Sequence, residues 1–412
     1  MHDRRVVVTG IGVITPLGCT IASFWDGLVC GRSGIAPITL FDTSKFDVRF
    51  GGECRDFRAG DYLEHRHIKR LDRFTQFACA AAKLAWADSG LTEGAFEPNR
   101  AGAIIGSGIG GLLEIEEQHR RLAERGPGKV SPFTIPRLMA NATCGNVSIM
   151  YNLRGPSAAV ATACASAGHA MADALYAIRR GDADVMVTGG SEAALTPLAL
   201  AAFASMKAVS TRNDDPTKAS RPFDKDRDGF VLSEGAGILI FEEFEFARRR
   251  GANIICEVAG VGATSDAGDI VQPDANGDGP SRAMSLSLKD AGVDPAEVDY
   301  INAHATSTPL GDVAETNALK RVFGASAKTV AVSSTKGSTG HLLGATGAIE
   351  ATACALAIRN NTLPPTINLD NVDTDCDLNH VRIHARDGRV KIAMSNSFGF
   401  GGHNACVVLR AI

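Results

Sequence analysis

Four segments of this chain occur twice, in the same order. VVVTGIGVIT (6–15) resembles CEVAGVGATS (256–265), and AGAIIGSG (101–108) resembles VDYINAHA (298–305). ATACASAGHAMADALYAIRRG (161–181) resembles GSTGHLLGATGAIEATACALAIRNN (337–361), and DVMVTGGSE (184–192) resembles IAMSNSFGF (392–400). Short apolar strand-like runs alternate with helix-length periodic segments, the pattern of an α/β protein. A chain with such a repeat is expected to fold as two copies of one α/β unit. The boundary falls near Gly251, giving halves 1–253 and 254–412. The first copy carries extra sequence, chiefly 20–75 and 115–150.

The rest of the composition narrows the function. At 412 residues the chain has ample core volume, and its net charge of -4 argues against nucleic acid as the main partner. No apolar run reaches membrane-spanning length. MHDRRVVVTGIGVITPLGC superficially resembles a signal peptide, but Gly10, Gly12, Thr15 and Pro16 interrupt it and its valines favour a strand. A cytoplasmic protein is expected. The ten cysteines are scattered, with no CxxC pair, so neither a zinc site nor a disulfide framework is expected.

Two motifs invite readings that their surroundings do not support. GSGIGG (106–111) follows a strand and precedes a helix, as a dinucleotide loop would. The next strand ending in an acidic residue is missing, since VSPFTIPRLMANATCGN follows. DKDRDG (224–229) opens like a calcium loop, but its twelfth position is Gly235, with Glu234 one residue early. A solvated acidic turn is expected there. His65 and His67, in HRHIKR, lie on a basic surface rather than in a metal site. No cofactor is expected.

Three segments carry reactive groups. Aligning YAIRRG with LAIRNN sets Cys164 opposite Gly344, each near the start of corresponding helices. A helix start offers unpaired N–H groups and partial positive charge, which favour a thiolate or an oxyanion. Arg179, Arg180 and Gly181 suit the end of the Cys164 helix. His304 ends the strand-like VDYINAH, where α/β proteins form their sites, and Thr308 with Pro309 resembles a helix cap and first turn. Lys336 and His341 sit in SSTKGSTGHLLGATG, a loop short enough for both side chains to converge. Singly, each has a bland explanation: a buried thiol, a loop histidine, a surface lysine. Together they place four polar groups at equivalent corners of two repeats.

From end to end the chain resembles the β-ketoacyl-acyl carrier protein synthases, condensing enzymes of thiolase-like fold, and among them synthase II. The resemblance rests on VVVTGIGVITPLG, GSGIGGL, LRGPS, TACAS, GDADVMVTGGSE, STRND, SRPFDKDRDGFVLSEGAG, NAHATSTPLGDVAE, SSTKGSTGHLLGATGAIE, LPPTINLD and NSFGFGGHN. It implies two pseudo-equivalent halves in a five-layered α-β-α-β-α arrangement, with cap and dimerisation segments inserted in the first half, and a homodimer. It implies that Cys164 is the acyl-accepting nucleophile, that His304 and His341 are the paired histidines, and that Lys336 belongs to the same site. Phe400 falls where the family supplies a second oxyanion N–H beside that of Cys164, and Phe398 where it has a gating phenylalanine. Thr306 and Thr308 match threonines that hold a phosphopantetheine arm. Ile109 and Phe203 match residues lining an acyl tunnel. The implied partner is an acidic acyl carrier protein. In EHRHIKRLDRF, Arg66, Lys69, Arg70 and Arg73 recur at helical spacing, and the first three match basic docking positions.

These groups suit a decarboxylative Claisen condensation. Cys164 would take an acyl chain as a thioester, its thiol acidified by the helix start. Loss of CO2 from a malonyl thioester would give an enolate, stabilised by the two neutral imidazoles. The chain departs from the family at Ala165, Ala305 and His403. It departs most in SDAGDIVQPD (265–274), where a gate loop is usual. A thiolase would need a second cysteine in FGFGGHN, whereas Cys406 lies beyond it in strand-like sequence. A polyketide ketosynthase would share the same site residues, and a chain-length-factor-like partner would lack the cysteine.

Overall fold

The computed structural model describes residues 4–412. The first copy runs β1 (Val6–Ile14), α1 (Arg73–Ser89), β2 (Ala101–Gly106), α2 (Leu112–Arg125), β3 (Ser157–Val160), α3 (Ser166–Arg179), β4 (Val185–Glu192) and β5 (Gly235–Glu243). The second runs β6 (Cys256–Ser265), α4 (Asp278–Ala291), β7 (Tyr300–Asn302), α5 (Pro309–Phe323), β8 (Ala331–Ser333), α6 (Thr346–Asn360), β9 (Asn379–His380), β10 (Ile392–Gly399) and β11 (His403–Arg410). β1, β4 and β5 are buried along their whole length. That is why they read as near-continuous apolar runs rather than alternating ones.

All eleven strands form one hydrogen-bonded sheet, in the order β9-β8-β7-β10-β11-β6-β1-β5-β4-β2-β3. Outward from the middle, the first copy reads β1, β5, β4, β2, β3 and the second β6, β11, β10, β7, β8. Setting aside the extra edge strand β9, both orders are first, fifth, fourth, second, third. Within the sheet, among the described residues, the copies join through two ladder pairs, Val7 with Glu257 and Val8 with Cys256. α3 packs on β2 and β4 and reaches β11, while α6 packs on β10 and β7 and reaches β5 and β4. These two touching helices form the middle layer. α1 covers the far face of β1, β4 and β5, and α4 that of β6 and β11. The five layers of a thiolase-like fold result. From Thr346 to Ile358 every residue of α6 is buried, which accounts for its run of small side chains.

Close helix–strand contact marks equivalent positions. A Cβ on Gly12 would lie 1.9 Å from Ala81 O of α1, and one on Gly262 2.1 Å from Ala283 O of α4. The ladders carry this equivalence across the sheet. Gly12 pairs with Ile238 and Ile238 with Gly189, while Gly262 pairs with Cys406 and Cys406 with Asn396. Gly189 therefore corresponds to Asn396, and Glu192 to Gly399. The sequence pairing of 184–192 with 392–400 is one residue out of register. In the observed register Val185, Met186 and Val187 correspond to Ile392, Ala393 and Met394, whereas the sequence pairing sets Asp184 against Ile392. No helix among the described residues is long and apolar enough to cross a membrane.

Candidate active site

Cys164 sits on a sharp elbow. β3 ends at Val160, and residues Ala163–Ala165 form a single 3-10 turn that runs directly into α3. Ala163 has φ +50°, a left-handed conformation that costs a non-glycine residue energy. Its counterpart before α6, Leu343, has φ +46°. Cys164 therefore precedes the helix rather than opening it. The elbow presents the thiol with the N–H groups of Cys164 and Phe400 directed at the sulfur. Gly399 makes this possible: a Cβ there would lie 3.0 Å from the Cys164 nitrogen.

The expected acidification of the thiol does not occur. Burial pushes Cys164 up to about 12; the Lys336 charge and the two amides lower it, while Glu192 raises it. Desolvation of an anion outweighs the elbow's partial charges. The acidifying effect of the elbow is thus a smaller influence than the dry cavity around it.

His341 Nε2 lies 2.9 Å from Cys164 Sγ, and its Nδ1 lies 3.0 Å from Thr346 Oγ1. A hydroxyl can donate or accept, so Thr346 serves either tautomer of the ring. The His304 ring stands edge-on to His341 with centroids 5.4 Å apart, and Phe398 stands 5.7 Å from His304. Burial, then the Lys336 charge, pushes both imidazoles well below the usual histidine range. Both rings are neutral. The backbone behind His304 is pinned by Glu315 of α5, which accepts the N–H groups of His304 (2.9 Å) and Ala305 (2.7 Å).

Lys336 begins a single helical turn, Lys336–Thr339, and is buried with an ion pair to Glu350 of α6. It does not line the cavity; its charge acts from behind the wall. Burial pushes Glu350 up to about 8, against the pull of Lys336.

These groups face a cavity of about 710 Å3. Cys164, His304, His341, Phe398 and Phe400 line it, as do Ile109, Phe203, Thr306 and Thr308. The hydroxyls of Thr306 and Thr308 lie 3.1 Å apart, and Thr308 is the residue before α5. In DKDRDG, expected to be a solvated acidic turn, Lys225, Asp226 and Asp228 are exposed, but Asp224 and Arg227 turn inward into a buried knot behind these threonines. Asp224 is fully buried, bonded to Arg221 Nε at 3.0 Å and to Asn371 N at 2.7 Å. Arg227 donates to the carbonyls of Thr308 (2.9 Å) and Pro309 (2.7 Å) and to Asp373 (2.6 Å). The Arg221 N–H donates to Ser307 Oγ at 3.0 Å. GSGIGG is likewise committed: the Gly108 and Ile109 amides donate to Glu192 rather than facing a nucleotide.

The basic segment departs from its expected shape. The helix His65–Ile68 is one turn long, and α1 begins anew at Arg73 because Asp72 caps it through Phe74 N (3.2 Å). Arg73 turns inward, 2.7 Å from Glu234 and stacked on Phe77. Only Arg66, Lys69 and Arg70 remain exposed. Glu192, Glu315 and Asp312 were not singled out from sequence, because a carboxylate's burial leaves no local signal. Cys406 is buried within β11. Among the described residues no group of three or more His, Cys, Asp or Glu side chains could hold a metal ion.

A buried thiol on a strained elbow, two neutral imidazoles and two convergent amides, set between duplicated α/β halves, define an acyl-transferring enzyme of the thiolase-like class. Comparison with known proteins gives the family. The Beta-ketoacyl synthase N-terminal domain matches residues 3–247 and the Beta-ketoacyl synthase C-terminal domain matches residues 255–370. The chain belongs to the β-ketoacyl synthase family, and is a condensing enzyme. A 3-oxoacyl-acyl-carrier-protein synthase 2 of Synechocystis sp. is 50% identical over 410 residues, covering 100% of this chain and 99% of the relative. One from Coxiella burnetii is 48% identical over 412 residues, covering all of both chains. Among solved structures, a type II polyketide ketosynthase bound to the hexaketide, in complex with its acyl-carrier protein, superposes with a TM-score of 0.93 at 34% identity. It covers 99% of each chain.

Proposed function

We propose that this chain is a β-ketoacyl-acyl carrier protein synthase of fatty acid elongation. It condenses an acyl chain held on Cys164 with malonyl carried on the same kind of carrier protein. The observation that carries the reading is the 2.9 Å contact between Cys164 Sγ and a neutral His341, under two amides. Cys164 attacks the acyl thioester and its proton passes to His341 Nε2, which returns it to the departing pantetheine sulfur. The amides of Cys164 and Phe400 bind the tetrahedral oxyanion, each such donor being worth on the order of 10²-fold or more in rate.

Malonyl then enters along Thr306 and Thr308. Its carboxylate leaves as CO2, and the electron pair forms an enolate whose oxygen accepts hydrogen bonds from His304 and His341. The enolate carbon attacks the acyl carbonyl, the carbon–sulfur bond to Cys164 breaks, and the thiolate takes up one proton from solvent. Ile109 and Phe203 line the acyl chain's path, and Phe398 gates it. Fatty acid elongation is favoured over polyketide synthesis because identity is near 50% to the 3-oxoacyl-acyl-carrier-protein synthase 2 relatives and 34% to the type II polyketide ketosynthase.

We also propose that the chain divides at 253/254, in the loop between the short helix Phe244–Arg249 and β6. A homodimer is supported by β3, a sheet edge paired on one side only, and by Ile149, 81% exposed on the helix Ala142–Tyr151 that packs on β3. All ten cysteines are free, in keeping with a reducing, cytoplasmic setting. Arg66, Lys69 and Arg70 form the docking patch for the carrier. The test is intact mass after incubation with acyl-carrier protein, followed by malonyl-carrier protein with CO2 release measured. Wild type gains one acyl group and then loses it as CO2 appears, and Cys164→Ala does neither. A stable acyl adduct on Cys164→Ala would overturn the assignment.

A further inference from the structure

The two elbows are built alike but finished differently. Gly344 corresponds to Cys164, and the residues before them share the same left-handed backbone. Above the first elbow stands Gly399, whose missing side chain leaves the Cys164 N–H open. Above the second, the corresponding position is Glu192. Its fully buried carboxylate accepts the Gly344 N–H at 3.0 Å. It also accepts the N–H groups of Gly108 (2.7 Å) and Ile109 (3.2 Å), and the Ser107 hydroxyl at 3.0 Å. Space there is filled: a Cβ on Gly344 would lie 2.2 Å from the Gly108 nitrogen and 2.7 Å from Glu192 Oε2. Ser107 to Ile109 come from the first copy and Gly344 from the second, and Ile109 lines the cavity.

We propose that Glu192 is a positioning residue: its carboxylate is a built-in anion in the second copy's equivalent of the oxyanion hole, and holds the Ile109 wall of the acyl cavity against the second elbow. The four donors around it otherwise have no partner, and a small carboxylate is the species that fits them. The inference rests on the condensing reading for its activity readout, but not for its binding readout.

The test uses the full-length chain as Glu192→Gly and Glu192→Gln, with sodium formate titrated against sodium chloride at equal ionic strength. Acyl loading of Cys164 is followed by intact mass, and Tm by thermal denaturation. In Glu192→Gly, loading falls at least about tenfold, the scale of a displaced wall in a reactive site. Formate restores most of it saturably and raises Tm, whereas chloride does neither. Glu192→Gln retains the volume but points an NH2 group at N–H donors; it loads slowly and formate does not rescue it. Wild-type loading in Glu192→Gln, or formate acting no better than chloride on Glu192→Gly, overturns the proposal. If Glu192→Gly fails to fold even in formate, Glu192→Gln decides alone. If wild type never loads acyl, the condensing reading fails instead, and the Tm response of Glu192→Gly to formate still judges this one.

Discussion

Cys164 Sγ and His341 Nε2 are 2.9 Å apart although 177 positions separate them, and each comes from a different copy of the repeated unit. Neither half contains a complete reaction centre. Cys164 and the Phe400 amide aimed at it lie on opposite sides of the join from each other, and His304 and His341 both belong to the second copy. Anything that shifts one half against the other alters this contact before it alters the fold.

The first prediction concerns pH. The folded thiol is raised by burial, to about 12. Below that value the thiolate fraction, and so the rate of alkylation of Cys164 by iodoacetamide, rises about tenfold per pH unit. No plateau appears near neutrality. Because the Lys336 charge lowers the thiol, Lys336→Ala raises it further and slows alkylation at any fixed pH. Quenched-time-course mass spectrometry of the Cys164 peptide measures both; a plateau near pH 7 would show an acidified thiol instead.

The second concerns the buried pair Lys336–Glu350. Lys336→Ala leaves a carboxyl buried without its cation, an arrangement that costs roughly 3–5 kcal/mol in comparable sites. Glu350, already raised to about 8, is raised further once its cation is gone. Ionising it then destabilises the fold, so the variant's Tm falls as pH climbs from the unfolded carboxyl range toward and past 8. Lys336→Met combined with Glu350→Leu recovers most of the Tm, because no charge remains to desolvate, while condensation stays impaired. Thermal denaturation across pH checks the stabilities. A single variant as stable as wild type would remove the pair's structural role.

Docking gives the third. Reversing Arg66, Lys69 and Arg70 to glutamate raises KM for carrier-bound substrate by about tenfold or more, with kcat less affected, since exposed charges steer encounter. Wild-type kcat/KM falls as salt rises, and the variant's responds less. Steady-state kinetics at several ionic strengths would expose a variant indistinguishable from wild type.

The fourth is oligomeric. Ile149→Asp puts a charge on the apolar surface beside the unpaired edge β3. It shifts sedimentation from dimer toward monomer at micromolar concentration. A dimer of unchanged affinity would locate the contact elsewhere.

The duplication was readable because each copy keeps its own apolar strands and small-residue helix, and such periodicity survives divergence. That Cys164, His304 and His341 come together was readable because they sit at strand–helix corners. Register between β4 and β10 was not: Val185–Val187 belongs opposite Ile392–Met394, and a one-residue slip still overlaps most of the two short apolar runs. Nor were the buried carboxylates. Asp224 and Glu192 look in sequence like any solvated acid, and only the folded chain brings Arg221, Arg227 or the Gly108 and Gly344 amides to them. The thiol's state was misjudged for a related reason: local sequence gives the helix end, whereas desolvation depends on everything packed around it.

The knot of Arg221, Asp224, Arg227, Asp312 and Asp373 has a consequence for random mutagenesis. Its side chains grip the backbone of residues 307–309, at and beside the cavity-lining Thr308 and Thr306, yet stand away from the cavity itself. A screen for loss of condensing activity would therefore collect hits at an arginine–aspartate cluster that does not line the cavity. Partial revertants would arise within that cluster, by restoring charge balance, rather than among the threonines whose positions it sets.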